Sequence, residues 1–541
     1  MIHRALLAAA AAACLLLIAP LAATAVSEDP AAVLAKHKTY VGWAYGDGTL
    51  KSARLTVVAE RPPDAPTPKP DATPDPLGSA NGKRIELRRE LLYRSGASRY
   101  GFEAGAQGFT GALFWQSNVN GQTVTVRGKL ARELLTEDLI DSEALGEAPA
   151  AARSETRFDG KNAAVVRIDP KNGVPADLYF DAETGAMLGA TIQPDVPLER
   201  ETLHVVAYSE FAPGKRYVSA WRYGDSKIVD RVTKFEPNVP ISDADLHPPA
   251  PQATWSFGEP RTVPINIVAH TSPYSNRQAR AVHVAVTVNG HPGTFLLDSG
   301  AGGLLVFDPL GKVAGLKDLG RTGYSGVNGR GVSATYARVD ELTIGGNTLH
   351  NVIVTHSAHG GGIDGIIGFD ALAGAVFDVD LVTHRLTIHD PNGFDVEPKQ
   401  GAWAFVPDLS TNHIGVPVKV GNNVLSSVWL DTGDDFFVMF PHELEKKTVA
   451  LPNEIQLPGG LTFNQVEYYG GVDGSAVEPA NCVRLNEIQV GPYRYQKAPA
   501  CFAVNDAFGS DGGLVGFDFL HHFNWTFDYP HNRVVLTPNG L

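Results

Sequence analysis

Apolar positions along this chain alternate with polar ones more often than they recur at helical spacing. ARLTVVAE (53–60), TVTVRG (123–128), AAVVRID (163–169) and HVVAYSEF (204–211) set β-branched and aromatic residues at every second position or in short blocks. That is the pattern of half-buried or buried strands. RIELRRELLYR (84–94) and ADLYFDAETGAMLGATI (176–192) read the same way, the latter as two strands around the turn DAETG (181–185). LARELLTEDLIDSEAL (130–145) breaks the series with a helical period. RPPDAPTPKPDATPDP (61–76) cannot be a strand, because proline has no N–H to donate, and it is expected as an insertion in a hairpin.

Beyond HPPAPQATWSFGEPRTVP (247–264), which is proline-rich and aperiodic, the strand blocks begin to recur in pairs. VAVTVNGHPGTFLLDSGAGGLLVF (284–307) matches VPVKVGNNVLSSVWLDTGDDFFVMF (416–440). IDGIIGFDAL (363–372) matches DGGLVGFDFL (511–520), and VDLVTHRLTI (379–388) matches FDYPHNRVVL (527–536). Asp298 and Asp431 are 133 residues apart, Ile366 and Leu514 148. A period this long describes two homologous lobes rather than a solenoid, the second with about 15 extra residues between its motifs. The expected organisation is a β-rich domain at 26–250, a connector at 251–264, and lobes at 265–395 and 396–541.

With 541 residues the chain is too long for one core, and its 56 glycines and 37 prolines favour turns and strands over long helices. A net charge of −14 argues against nucleic acid as a partner. His3 and Arg4, the apolar run after them and Ala23-Thr24-Ala25 read as a signal peptide, residues 1–25, cleaved after Ala25. An uncleaved anchor is the alternative. Cys14 lies inside the apolar run rather than at its end, which argues against lipidation. The expected location is therefore the periplasm or the medium. Cys482 and Cys501 then read as one disulfide, with two reduced thiols as the alternative.

One Asp-Ser-Gly after an apolar run is an ordinary strand-to-turn junction. Two, in matched lobes, place two carboxylates at a pseudo-twofold axis. Like charges at about 3 Å cannot both ionise, so such a pair shares one proton and offers an acid beside a base. On Asp298-Ser299-Gly300 with Ile366-Ile367-Gly368, and Asp431-Thr432-Gly433 with Leu514-Val515-Gly516, residues 265–541 resemble the aspartic peptidases of the retropepsin and pepsin clan. The resemblance implies a bilobal all-β fold and endopeptidase activity on a peptide or protein substrate. Asp298 and Asp431 would activate a water, one as general base and one as general acid. Ser299 and Thr432 would tie the two loops together, and Gly300 and Gly433 would let the backbone turn. Ile366, Ile367, Gly368, Leu514, Val515 and Gly516 would pack behind. No cofactor or metal is implied; THSAHGGG (355–362) and His521-His522 lack the spacing of a helix-borne zinc site and read as loop histidines.

A flap over the substrate is expected at TGYSGVNGRGVSATYA (322–337), with Asn328-Gly329 at its tip, Gly326 beside it and Tyr324 as a contact. EYYGGVDGSAV (467–477), with Tyr468 and Tyr469, is its counterpart; a solvated hairpin is the alternative for both. Asp434 and Asp435 depart from the small residue that the clan carries after the second glycine, and a third carboxylate should raise the pKa of the pair. The N-terminal strand order, YFDAETGAML (179–188) and NVPISDADLHPP (238–249) resemble the curved antiparallel half-barrel of bacterial lipoprotein-carrier-like domains. That implies an acyl-chain or peptide ligand, against the alternative of a structural or docking domain. With both lobes in one chain, a monomer is expected. Two other readings stay open: a binding protein on an inactive peptidase scaffold, and a latent peptidase whose N-terminal domain covers the cleft.

Overall fold

The computed structural model describes residues 29–541 except 61–87, 95–96, 103–104, 154–155, 196–199, 272–277, 326–330, 359, 361, 408–411, 446–449, 453, 457–461, 470–477 and 504–511. The segments read as signal peptide (1–25, with Cys14) and proline-rich insertion (61–76) lie outside the described residues. The chain is mainly β, as the alternation predicts.

The first sheet is antiparallel. It runs from Thr123–Val126 at one edge to Ala150–Ala152 at the other, with Ser52–Glu60 against Val229–Pro237 near the middle. The earliest and latest strands of this region are thus neighbours, so the chain returns beside its first strand before it moves on. Two helices pack on it. Pro30–Val41 starts where the Asp29 carboxylate accepts from Ala31 N–H (3.2 Å) and stops at Gly42, in the left-handed region. The other helix spans Gly128–Asp141, and a short 3-10 turn, Leu145–Glu147, follows. It therefore ends earlier than the apolar period to Leu145 suggests, because that leucine is buried from the turn rather than from the helix. Val33 and Ile140 meet Val166, Ile168, Leu178 and Phe180 in one core. Buried His37 clamps the pair of helices to the sheet, reaching Gly185 O and Glu143 Oε2, each at 2.9 Å.

The stretch expected as a connector is partly ordered sheet. Thr254–Ser256 pairs with residues 348–350, and Thr262–Thr271 pairs with both Gln278–Val288 and Arg385–His389. Proline hides these strands: Pro260 lies before the second one, and Pro264 lies within it, opposite Arg385, just before the pairing with Gln278–Val288 begins at Ile265, so its missing N–H breaks no ladder.

The two repeat units join through one antiparallel pair, Val376–Asp380 with Phe523–Asp528, in which Phe377 faces Phe527. Arg385–His389 and Arg533–Pro538 flank that pair. Thr262–Thr271 and Trp403–Phe405 lie outside them, giving a six-strand arrangement with the pseudo-twofold through its centre. Phe377, Val379, Trp525 and Phe527 are fully buried there, and one continuous apolar core spans both units and takes in Val124 and Ala253 from outside them. In the second unit Cys482 and Cys501 stand directly opposite on paired strands and are disulfide-bonded.

Candidate active site

Each repeat unit feeds an apolar strand into a slot. His291–Leu297 runs parallel to Gly365–Ile367, and Leu305–Phe307 returns antiparallel on the far side of it. Asn423–Leu430, Leu514–Val515 and Val438–Phe440 repeat the arrangement. At the end of each first strand the Asp N–H makes one more ladder bond, Asp298 to Ile367 O (3.0 Å) and Asp431 to Val515 O (2.9 Å). The apolar block ends there because the next residue leaves the sheet for a turn. The polar side chain is thus carried at the buried end of a strand whose other end is exposed.

The two turns hold each other. Ser299 Oγ donates to Leu430 O (2.7 Å) and accepts from Thr432 N–H (3.1 Å). Thr432 Oγ1 donates to Leu297 O (2.9 Å) and accepts from Ser299 N–H (3.0 Å). These four bonds form two matching pairs across the axis, and both side chains are buried. The glycines bring the turns together. A Cβ on Gly300 would stand 2.2 Å from Asp431 Cγ, and one on Gly433 would stand 2.5 Å from Asp298 Cγ. Each glycine therefore faces the opposite carboxyl, a distance no other residue tolerates.

Asp298 and Asp431 are buried, 7% and 5% exposed, and share a hydrogen bond. Burial pushes Asp298 well above the usual carboxylate range; the negative charge of Asp431 adds to this, and Asp434 contributes in the same sense. Burial also raises Asp431, against the hydrogen bond from Asp298 and two backbone donors. Those donors are Gly433 N–H (2.8 Å) and Asp434 N–H (3.1 Å), both on Asp431 Oδ1, whereas Asp298 Oδ1 receives one, from Gly300 (2.8 Å). The anion is better supported on Asp431, so the shared proton belongs on Asp298.

Ile366, Ile367, Leu514 and Val515 are buried in the strands behind the turns. Gly368 and Gly516 lead into the short helices Phe369–Leu372 and Phe517–Leu520, whose first N–H groups donate to Ala301 O (3.0 Å) and Asp434 O (2.6 Å). Asp318–Ser325 and Gly331–Ile344 form the expected hairpin, and its tip residues Gly326, Asn328 and Gly329 lie outside the described residues. Half-buried Tyr324 packs with Phe307 and Ile366, and its hydroxyl donates to Ser357 Oγ (3.4 Å). Tyr468 and Tyr469 end the strand Thr462–Tyr469, opposite Pro479 and Glu478. Among the described residues no group of three His, Cys, Asp or Glu side chains could hold a metal ion, and no helix is long and apolar enough to cross a membrane.

Two features escape the motif reading. Buried Tyr529 lies between Phe369 and Phe527, and its phenol is pushed far up by burial and by the Asp298 charge. Asp370, also buried, accepts from Leu304 N–H (2.8 Å) in the segment that follows Asp298 and meets side chains of the first sheet. Its one sequence signal is the repeat itself, where GFD stands in both copies, at Asp370 and Asp518.

Residues 284–371 match the sequence model of a family described as aspartyl protease. The match contains Asp298-Ser299-Gly300 and Ile366-Ile367-Gly368; the second copy lies outside it. No curated protein matches the chain in sequence. Among solved structures, it is similar to an outer membrane lipoprotein-sorting protein domain from Vibrio parahaemolyticus (12% identity, 40% of this chain and 97% of that one, TM-score 0.28). It is also similar to a DUF1329 family protein from Desulfovibrio piger (14%, 41% and 98%, TM-score 0.29). A third is a LolA superfamily protein from Nitrosomonas europaea (10%, 41% and 98%, TM-score 0.28).

Proposed function

We propose that this protein is an exported aspartic endopeptidase whose dyad is Asp298 and Asp431. The observation that carries the reading is the pair of buried carboxyls that share a hydrogen bond across turns locked by Ser299 and Thr432. The aspartyl protease match over 284–371 supports the same chemistry for the first copy.

In this reading a water sits between the carboxyls. Asp431, ionised and supported by two N–H donors, removes a proton as the water oxygen bonds to the scissile carbonyl carbon. Asp298, protonated, donates to the carbonyl oxygen, giving a neutral tetrahedral diol. Collapse breaks the C–N bond. One diol proton returns to Asp298, and the proton held by Asp431 goes to the leaving nitrogen, so the starting protonation states are restored. The locked turns keep the carboxyls in place, so little reorganisation is needed during reaction. Tyr324, opposite Val332 near the turn end of the hairpin, is a candidate substrate contact, as are Tyr468 and Tyr469 in the second unit.

The apolar leader, the alanine-rich cleavage pattern and the cysteine pair support export. Lobes at 265–395 and 396–541, with strand Phe523–Asp528 of the second completing the sheet of the first, make the site within one chain. The first test is cleavage of a mixed peptide library across about pH 3 to 8, comparing wild type, Asp298→Asn, Asp431→Asn, and wild type with a statine-type transition-state analogue. Loss of cleavage in both variants and with the analogue is expected. Cleavage that survives either substitution overturns the reading, and absence of cleavage by folded wild type favours a binding role.

A further inference from the structure

We propose that the N-terminal sheet is a working part of the peptidase scaffold: its turn at Asn118, Asn120 and Gln122 positions the Asp298 loop by holding Asp370. The proposal deepens the reading of Asp298 as half of the dyad and rests on it for its catalytic consequence.

The turn joins Phe114–Asn118 to Thr123–Val126 and is wired from within. Asn118 Oδ1 accepts from the N–H groups of Asn120 and Gln122, each at 3.0 Å, and Asn118 Nδ2 donates to Gln122 Oε1 (2.7 Å). The same three side chains reach out of their own sheet. Asn118 Nδ2 donates to Asp370 Oδ1, and Gln122 Nε2 donates to Asp370 O (2.6 Å). Asn120 imitates a strand partner for Ile353, donating to its carbonyl (2.9 Å) and accepting from its N–H (2.7 Å). From Thr254–Ser256, which pairs with residues 348–350, Trp255 Nε1 donates to Ala371 O (3.1 Å).

Asp370 is thereby a two-sided bridge. One oxygen faces Asn118 of the N-terminal turn; the other accepts from Leu304 N–H (2.8 Å), six residues beyond Asp298. Asn118, Asn120, Gln122 and Asp370 are all buried. A carboxylate in such a place is tolerated only while its donors are present, and burial already pushes Asp370 up to about 6 against the hydrogen bonds from Leu304, Asn120 and Asn118. Val124 beside the turn joins the apolar core of the two units, and the three amides sunk into the neighbour with their partners in place add one specific pose to that apolar contact. That pose sets where Leu304 sits, and through the short segment 298–304 it sets the dyad turn. These contacts are with residues 353, 370 and 371, behind the turn, rather than with the carboxyls of the dyad. They therefore give this turn of the N-terminal domain a supporting role.

The test uses the full chain. Asn118→Asp keeps the shape but replaces the donor to Asp370 with an acceptor. The double variant Asn118→Asp with Asp370→Asn exchanges the two groups, so a donor again faces an acceptor between 118 and 370 and Leu304 N–H keeps its partner, while the bond from position 118 to Gln122 Oε1 is lost equally in both variants. Asn118→Ser, shorter but still a donor, is a milder perturbation should the first variant not fold. Two quantities are read: amide exchange of the peptide containing 298–304, and kcat and KM on a peptide the wild type cleaves. For Asn118→Asp, exchange at 298–304 should quicken by about tenfold, and kcat should fall by about tenfold with KM little changed. The exchanged pair should recover most of both, as coupled partners do. Unchanged exchange and kcat in Asn118→Asp overturns the proposal, as does a general loosening of both domains that the exchanged pair does not reverse. If wild type cleaves nothing, the proteolytic reading fails on that ground, while the exchange arm still decides whether the turn positions the loop.

Discussion

Thr432→Val tests the lock between the turns. The substitution preserves shape and removes only the hydroxyl. Thr432 is 0% exposed, so water does not replace what is lost. Ser299 N–H loses its acceptor at 3.0 Å, and Leu297 O loses a donor at 2.9 Å. An orphaned buried N–H costs roughly 1–3 kcal/mol and a lost carbonyl bond about 1 kcal/mol, so the change should destabilise by about 2–4 kcal/mol. Ser299→Ala removes the symmetry-related pair, Leu430 O and Thr432 N–H, and should cost a similar amount. Urea unfolding followed by tryptophan fluorescence reads this well, because Trp429 stands two residues before Asp431 and Trp525 lies in the sheet joining the units. With the turns loosened, kcat should fall by about ten- to a hundredfold with little change in KM. Thr432→Ser keeps the hydroxyl and should stay near wild type. A Thr432→Val chain as stable as wild type, or a Thr432→Ser chain as damaged as Thr432→Val, would refute the reasoning.

Gly300→Ala and Gly433→Ala would each drive a methyl to within 2.2 and 2.5 Å of the opposite carboxyl carbon. Each should reduce kcat by at least about a hundredfold, measured on any peptide the wild type cleaves. Asp298 has its folded pKa raised, so its contribution to stability is complete below the unfolded value and is lost as pH rises through the folded one. Asp298→Asn should therefore raise the thermal midpoint at neutral pH while abolishing cleavage, and the gain should shrink toward about pH 4; an unchanged midpoint at neutral pH argues against a raised Asp298 pKa. After burial and Asp431, Asp434 also holds Asp298 up, so Asp434→Ala should move the alkaline limb of the pH–rate profile to lower pH, and a profile that stays in place excludes that influence.

Much of the candidate site is local and therefore legible in one dimension. An apolar strand that ends in Asp-Ser-Gly or Asp-Thr-Gly, with a second apolar pair and glycine downstream, specifies the slot, the turn and the polar tip from residues close in sequence. Its duplication implies an axis, because two equal units can meet symmetrically. Alternation likewise marks most strands, since period two is a property of the backbone.

Tertiary structure decided what depends on residues far apart that share no period. Nothing in the motifs distinguishes the two carboxyls; the second N–H on Asp431, from Asp434, does, and it exists only once the turn has folded. Thr254–Ser256 and the first three residues of Thr262–Thr271 fall in the expected connector, because proline masks pairing whose partners lie about a hundred residues away. The meeting of Asn118 and Gln122 with Asp370, 252 and 248 residues on, has no sequence signature. A polar side chain encodes that it needs a partner. Which partner it meets is settled by the packing of whole sheets, which brings distant groups to hydrogen-bonding distance and leaves no water to take their place.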